Sequence, residues 1–230
     1  EGSLGEGVYA KDIILKIIQE LGVDGGVGHV YEYGGPAIEE LDMEGRLAIC
    51  NMSIEGGARA GYINPDETTY EYLRGREYVP EGEEFEELKS YWESIKSDAD
   101  AEYDDVVTID MDDVDPLVTW GINPGQVIEV SEPIPAPADF EARSDREAAE
   151  QALDHMDLEP GDSMLGYDVD VAFLGTCTNG RLSDFQVAAE ILEGRQVADG
   201  VRALAVPGSE TVRQQCEERG IDQTFIEAGF

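Results

Sequence analysis

Basic residues are scarce in this chain. Lysine and arginine together number 15 against 52 aspartates and glutamates, a formal charge of −37. Lysine occurs only at Lys11, Lys16, Lys89 and Lys96. Such a surface repels a polyanion, which excludes nucleic-acid binding by phosphate neutralisation. Long apolar runs are missing too. No stretch approaches the roughly 20 residues that a membrane helix needs, and no signal-peptide pattern opens the chain. Cysteine is rare: Cys50, Cys177 and Cys216 are too few, and odd in number, for a disulfide scaffold. They fit a reducing compartment, so a cytoplasmic location is expected. Histidine is limited to His29 and His155, with no ligand spacing between them, and no serine–histidine–acid order stands out.

What the chain does have is enough apolar material for real cores, 41% of 230 residues, in a length that suits one large domain or two small ones. The acids are spread along the whole chain between periodic apolar segments, unlike those of a disordered acidic tail. With so little lysine, the pattern reads as adaptation to a high-salt cytoplasm, where the Debye length shrinks to about 3 Å at 1 M. Plain solubility would give a similar surface.

Ile13, Ile14, Ile17, Ile18 and Leu21 form one stripe, which predicts a helix over 12–21 with Gly22 as its stop. Further helices are expected over 43–56, 68–73, 85–95, 146–156, 182–192 and 211–219. Strands are expected over 29–33, 106–109, 127–130, 169–174 and 203–206. Strands alternating with helices argue for an α/β fold with mainly parallel sheets. Prolines at 133, 135 and 137 mark a stiff connector. The expected organisation is one α/β domain over 1–133, a linker and helix over 134–165, and the first part of a second α/β domain over 166–230.

Three constellations could carry chemistry. In Phe173-Leu174-Gly175-Thr176-Cys177-Thr178-Asn179-Gly180-Arg181 an apolar strand enters a turn of small polar residues and then a helix. Ligands sit at the ends of parallel strands, and a helix N-terminus favours a thiolate at Cys177, which is a nucleophile and a ligand for soft metals or iron–sulfur clusters. A buried cysteine in a tight turn accounts for the same residues. In Cys50-Asn51-Met52-Ser53-Ile54-Glu55-Gly56-Gly57-Ala58-Arg59, helical spacing puts Asn51 and Glu55 on one face, with Leu47, Cys50 and Ile54 toward another. Glu55 and Arg59 share that spacing, and an ordinary surface salt bridge between them is the plainer account. In Trp120-Gly121-Ile122-Asn123-Pro124-Gly125-Gln126, Pro124 fixes φ and Gly125 permits a positive one, which makes a turn. Gly25-Gly26-Val27-Gly28 follows a helix instead of a strand, so it is a weak dinucleotide signature.

Together these segments resemble the aconitase superfamily, and within it the isopropylmalate isomerase branch. The matching residues run in order along the chain: Ala10-Lys11-Asp12-Ile13, Gly28-His29-Val30, Met43-Glu44-Gly45-Arg46, and Cys50 through Gly61. Pro65-Asp66-Glu67-Thr68-Thr69, Thr119-Trp120-Gly121 with Asn123-Pro124-Gly125-Gln126, Gly175-Thr176-Cys177-Thr178-Asn179 and Phe225 to Phe230 complete the set. Asn-Met-x-x-Glu and Cys-Thr-Asn belong to the superfamily, whereas the Trp-Gly-x-Asn-Pro-Gly-Gln turn points to the branch. The resemblance implies three-layer α/β/α domains, the second one incomplete. It also implies a hydro-lyase that moves a hydroxyl between neighbouring carbons by dehydration and rehydration at a 4Fe–4S cluster held by three cysteines.

By matching position Cys177 would be a cluster ligand, and Asn51 and Glu55 would border the cluster. Arg59 and Arg181 would bind a small hydroxy-dicarboxylate substrate. The family's Cys-x-x-Cys pair would follow Phe230, a domain with histidine–aspartate pairs would precede Glu1, and a small subunit carrying a swivel domain would supply the serine base. The chain is therefore expected to be a central fragment without a stable cluster of its own. A homoaconitase or aconitase, or an inactive aconitase-like assembly domain, are the other readings the residues admit.

Overall fold

The computed structural model describes residues 1–176 and 178–230. Two compact units divide them, Glu1–Leu165 and Gly166–Phe230. Their class is α/β, and two of the three two-stranded sheets are parallel.

The first unit is organised by helix α1 (Ala10–Leu21), which buries Ile13, Ile14, Leu15 and Ile18. Full burial of one such side chain is worth about 2 kcal/mol. Asp12 is buried as well, but its carboxylate accepts from the Tyr9 and Leu117 backbone N–H groups at 2.7 and 2.8 Å, so a polar group in the core is paired instead of orphaned. Strand β1 (Tyr31–Tyr33), helix α2 (Pro36–Glu39), helix α3 (Met43–Asn51) and strand β2 (Gly61–Ile63) follow. The two strands pair in parallel, Tyr31 opposite Gly61 and Tyr33 opposite Ile63. Helices α4 (Glu67–Leu73) and α5 (Glu83–Ser94) come next.

Strands β3 (Leu117–Thr119) and β4 (Val127–Glu129) form an antiparallel pair. Trp120 and Ile128 from this hairpin pack with Ile134, Ala149, Ala152, Leu153 and Leu158, so helix α6 (Arg143–Met156) and the proline-bearing segment before it share a core with the hairpin. Gln126 ties the parts together. Its side-chain oxygen accepts from Ile122 N–H at 2.6 Å and its amide donates to the Ala148 carbonyl of α6 at 3.2 Å.

Arg46 holds α3 in place. It is only 3% exposed, yet its donors are well matched: Nε to the Leu41 carbonyl, Nη2 to the Glu39 carbonyl, and a bidentate fork to Asp66 at 2.6 and 2.8 Å. Asp66 also caps α4 by accepting from Thr69 N–H. One arginine therefore ties α2, α3 and α4 together, and the guanidinium holds the Asp66 carboxyl below its usual range.

The second unit pairs β5 (Val171–Leu174) in parallel with β6 (Arg202–Ala205). Helices α7 (Leu182–Leu192), α8 (Glu210–Glu218) and α9 (Ile221–Ala228) surround a core of Phe185, Cys216, Ile221 and Phe225. Burial pushes the Cys216 thiol up and keeps it protonated.

The structure corrects three sequence expectations. Residues 106–109 are not a strand: Val106 and Val107 are exposed and no strand pairs with them. A β-branched run without a partner cannot form a ladder. The helix expected over 43–56 is α-helical only to Asn51 and continues as a 3₁₀ turn, Met52–Gly56. That winding rotates Ile54 away from the core, leaving it 65% exposed, and buries Met52 and Ser53 instead. Gly125 does not use a positive φ. A Cβ there would stand 3.0 Å from Val23 Cγ1, a tight approach to a side chain at the surface.

Two expectations about stability follow. Because the folded carboxyl of Asp66 titrates below its unfolded value near 4, its contribution is present above pH 4 and is lost as pH falls through the lowered folded value. Asp66→Asn should cost about 2 kcal/mol at pH 7, less than a fully buried pair because Asp66 is partly exposed. Urea unfolding should show that difference shrinking below pH 4. The surface charge also makes salt stabilising: the unfolding temperature should rise between 0.1 and 2 M KCl, and a fall would contradict the screening argument.

Candidate functional site

Asn51, Glu55 and Arg59 lie within nine residues of the first unit, and all three are exposed. Asn51 is the last residue of α3 and Glu55 sits in the 3₁₀ turn. Gly57 then turns the chain with φ +82, and the Arg59 backbone N–H donates to the His29 carbonyl at 2.9 Å, just before β2. The change of winding followed by this left-handed residue takes Glu55 and Arg59 off a common helical face. The surface salt bridge that their spacing allowed is absent; among the described residues neither has an ion-pair partner.

What holds this segment is glycine and tyrosine. The Tyr31 hydroxyl donates to the Gly56 carbonyl, the Gly26 N–H donates to the same carbonyl, and Ala58 N–H donates to the Ser53 carbonyl. The Tyr33 and Ser53 hydroxyls share a buried hydrogen bond of 2.8 Å. A Cβ at Gly61 would collide with the Ser53 hydroxyl. Cys50, half-buried beside these groups, has its thiol pushed up by burial.

In the second unit the candidate loop connects β5 to α7. Cys177 lies outside the described residues. Around it, a Cβ at Gly175 would collide with the Val206 carbonyl, and Gly180 accepts from Gly208 N–H at 2.8 Å, so the β5 and β6 loops are clasped together. Thr176 Oγ1 accepts from Asn179 N–H at 3.0 Å. Arg181 stands at the N-cap position of α7, and the Asp184 carboxylate accepts from the Arg181 backbone N–H at 2.9 Å and from the Asn179 side-chain amide at 3.3 Å. Among the described residues Asn179 Oδ1 and Arg181 Nε are buried without a hydrogen-bond partner. Such orphaned atoms are uncommon in a finished fold. Asp184 was not singled out in the sequence, although its position three residues past the cap is the capping-box signal. The structure thus groups Asn51, Glu55 and Arg59 in one unit and places Arg181 in the other. Among the described residues no three His, Cys, Asp or Glu side chains are grouped as a metal site.

The model of the aconitase family (aconitate hydratase) matches residues 1–230. The chain belongs to the aconitase family. Curated relatives agree with the match. The chain is 62% identical to a protein of Salinibacter ruber and 64% identical to one of Halorubrum lacusprofundi, each named 3-isopropylmalate dehydratase large subunit. It is 58% identical to a protein of the same name from Synechococcus sp.. Each comparison covers all of this chain and 48–49% of the relative, so the chain spans about half the length of the curated relatives it matches.

The glycines of the aconitase-family loop give a direct test of its geometry. Gly175→Ala should unfold or loosen the second unit, because its φ of +127 and the Val206 carbonyl both oppose a side chain. Gly194→Ala, where a Cβ would meet nothing within 4 Å, should cost only the roughly 1–2 kcal/mol of a strained φ. Circular dichroism and urea unfolding of the two variants compare the costs.

Proposed function

We propose that this chain is part of the large subunit of a 3-isopropylmalate dehydratase, interconverting 2- and 3-isopropylmalate by loss and return of water in leucine biosynthesis. The observation that carries the reading is agreement over the entire chain, at 62–64% identity, with relatives of that name. It favours this hydro-lyase over a homoaconitase or an aconitase.

A 4Fe–4S cluster belongs to the reading, and the described residues fit one corner of its site. The clasped glycine loop around position 177 has buried polar atoms in want of partners. Cys50 and Cys216 do not fit, since Cys50 packs against the core of the first unit and Cys216 is part of the Phe185–Phe225 core of the second. Cys177 is therefore the ligand assigned here. The other two belong to parts of the protein beyond these residues. When bound, the cluster supplies a Lewis acid that polarises a carbon–oxygen bond.

The chain's own residues bind and move protons. Exposed Glu55, held by the Gly56–Tyr31 hydrogen bond next to it, acts as the general acid. Its carboxylic acid form gives a proton to the departing hydroxyl as the carbon–oxygen bond breaks, and the small subunit's serine base takes the proton from the neighbouring carbon. On return the Glu55 carboxylate takes a proton from the incoming water while the base returns its own to carbon. Asn51 orients that hydroxyl by hydrogen bonding. Arg59 and Arg181 pair with the substrate carboxylates, which a chain of charge −37 would otherwise repel. A small subunit with a swivel domain is the partner, and the setting is the cytoplasm. Among the described residues no helix is long and apolar enough to cross a membrane.

Two variants of the full-length protein test the assignments separately. Cys177→Ser should abolish retention of a reconstituted cluster, read by absorbance, and normal cluster content would remove Cys177 from the ligand set. Glu55→Gln should keep the cluster and lose about 10²–10⁴-fold in kcat, the range for a lost general acid–base. Wild-type turnover would remove Glu55 from the chemistry.

A further inference from the structure

Exposed aliphatic residues stand in the segments next to Glu55. Ile54 is 65% exposed and Val27 is 63% exposed. Ile122, from the Asn-Pro-Gly turn, and Val23 are also open to solvent. They come from three separate segments that the backbone brings together. Val27 Cγ2 stands 3.2 Å from where a Cβ on Gly57 would be, and Gly57 N–H donates to the Ile54 carbonyl at 2.9 Å. Val23 Cγ1 stands 3.0 Å from the same point on Gly125, three residues beyond Ile122. Val30, although exposed, is not part of the strip. The Tyr31 hydroxyl reaches Gly56, so strand alternation turns Val30 to the opposite face.

We propose that Val23, Val27, Ile54 and Ile122 form an apolar wall that receives the branched alkyl group on the third carbon of the substrate, and so set specificity for that group. The proposal rests on the dehydratase reading and deepens it. Glu55 and Arg59, both exposed and without an ion-pair partner among the described residues, lie in the same stretch of chain as Ile54. Aliphatic side chains beside a few polar groups are what a small-molecule site presents. The chemistry needs the same contrast: carboxylates and hydroxyl toward Arg59, Asn51 and Glu55, and a greasy branch toward the isoleucines and valines. The turn around Ile122, otherwise only structural, gains a role as one end of that wall.

The test uses the full-length large subunit with its small subunit and reconstituted cluster. Ile54→Ser and Val27→Ser are each assayed on 3-isopropylmalate and on 3-methylmalate, which keeps the polar groups and shortens the branch. The proposal expects the ratio of kcat/KM values, isopropyl over methyl, to fall about tenfold in each variant, the lower end of what one or two methylenes in a pocket are worth. Ile191→Ser, at an exposed isoleucine of the second unit, should leave the ratio unchanged. An unaltered ratio in Ile54→Ser and Val27→Ser overturns the proposal. So do equal losses on both substrates with impaired subunit assembly, which would make the strip a packing surface. A wild-type enzyme that dehydrates neither substrate is a different failure: it removes the dehydratase reading itself.

Discussion

A single buried arginine sets the geometry of the first unit. Arg46 is nearly without solvent contact, and its charge is tolerated because Asp66 and two carbonyls take up its donors. An unpaired guanidinium there would cost several kcal/mol. The same carboxylate caps α4, so α2, α3 and α4 cannot shift independently. The end of α3 is where Asn51 stands, and the 3₁₀ turn with Glu55 hangs from it. A candidate site on an exposed turn is thereby tied to the interior through charge pairing in place of a large core.

Much of this architecture could be read from the residues alone. Alternating apolar segments give the α/β class, and the stripe in residues 13–21 places α1 to within two residues of its observed start. The short strands were harder. β2 and β3 have three residues each, too few for alternation to show, and they exist because β1 and β4 offer partners. Conversely Val106 to Ile109 has strand-forming residues but no neighbour. Pairing is a tertiary fact that local propensity does not encode.

The site was legible as residue types more than as geometry. Asn51 and Glu55 stood out because an amide and a carboxylate lie one turn apart beside a glycine pair. The switch to 3₁₀ winding at Met52 escaped the sequence reading, and with it the exposure of Ile54. The signal is present in hindsight: Gly56-Gly57 requires a turn, and Ser53 bonds back to the Ile49 carbonyl and across to Tyr33. These side-chain bonds compete with regular helix. Arg181 and Asn179 were found through a motif, whereas Asp184, which holds both, follows from the ordinary chemistry of a helix start. The acidic surface speaks about solvent.

The dependence of the site on the Arg46 clamp can be measured at the backbone. Amide hydrogen exchange of full-length Arg46→Leu, compared with wild type, reports local opening segment by segment. The account predicts that protection over residues 43–57 drops at least about tenfold, a loss of about 1.4 kcal/mol, while α7 to α9 are unaffected. Unchanged protection of α3 and its 3₁₀ extension would contradict it.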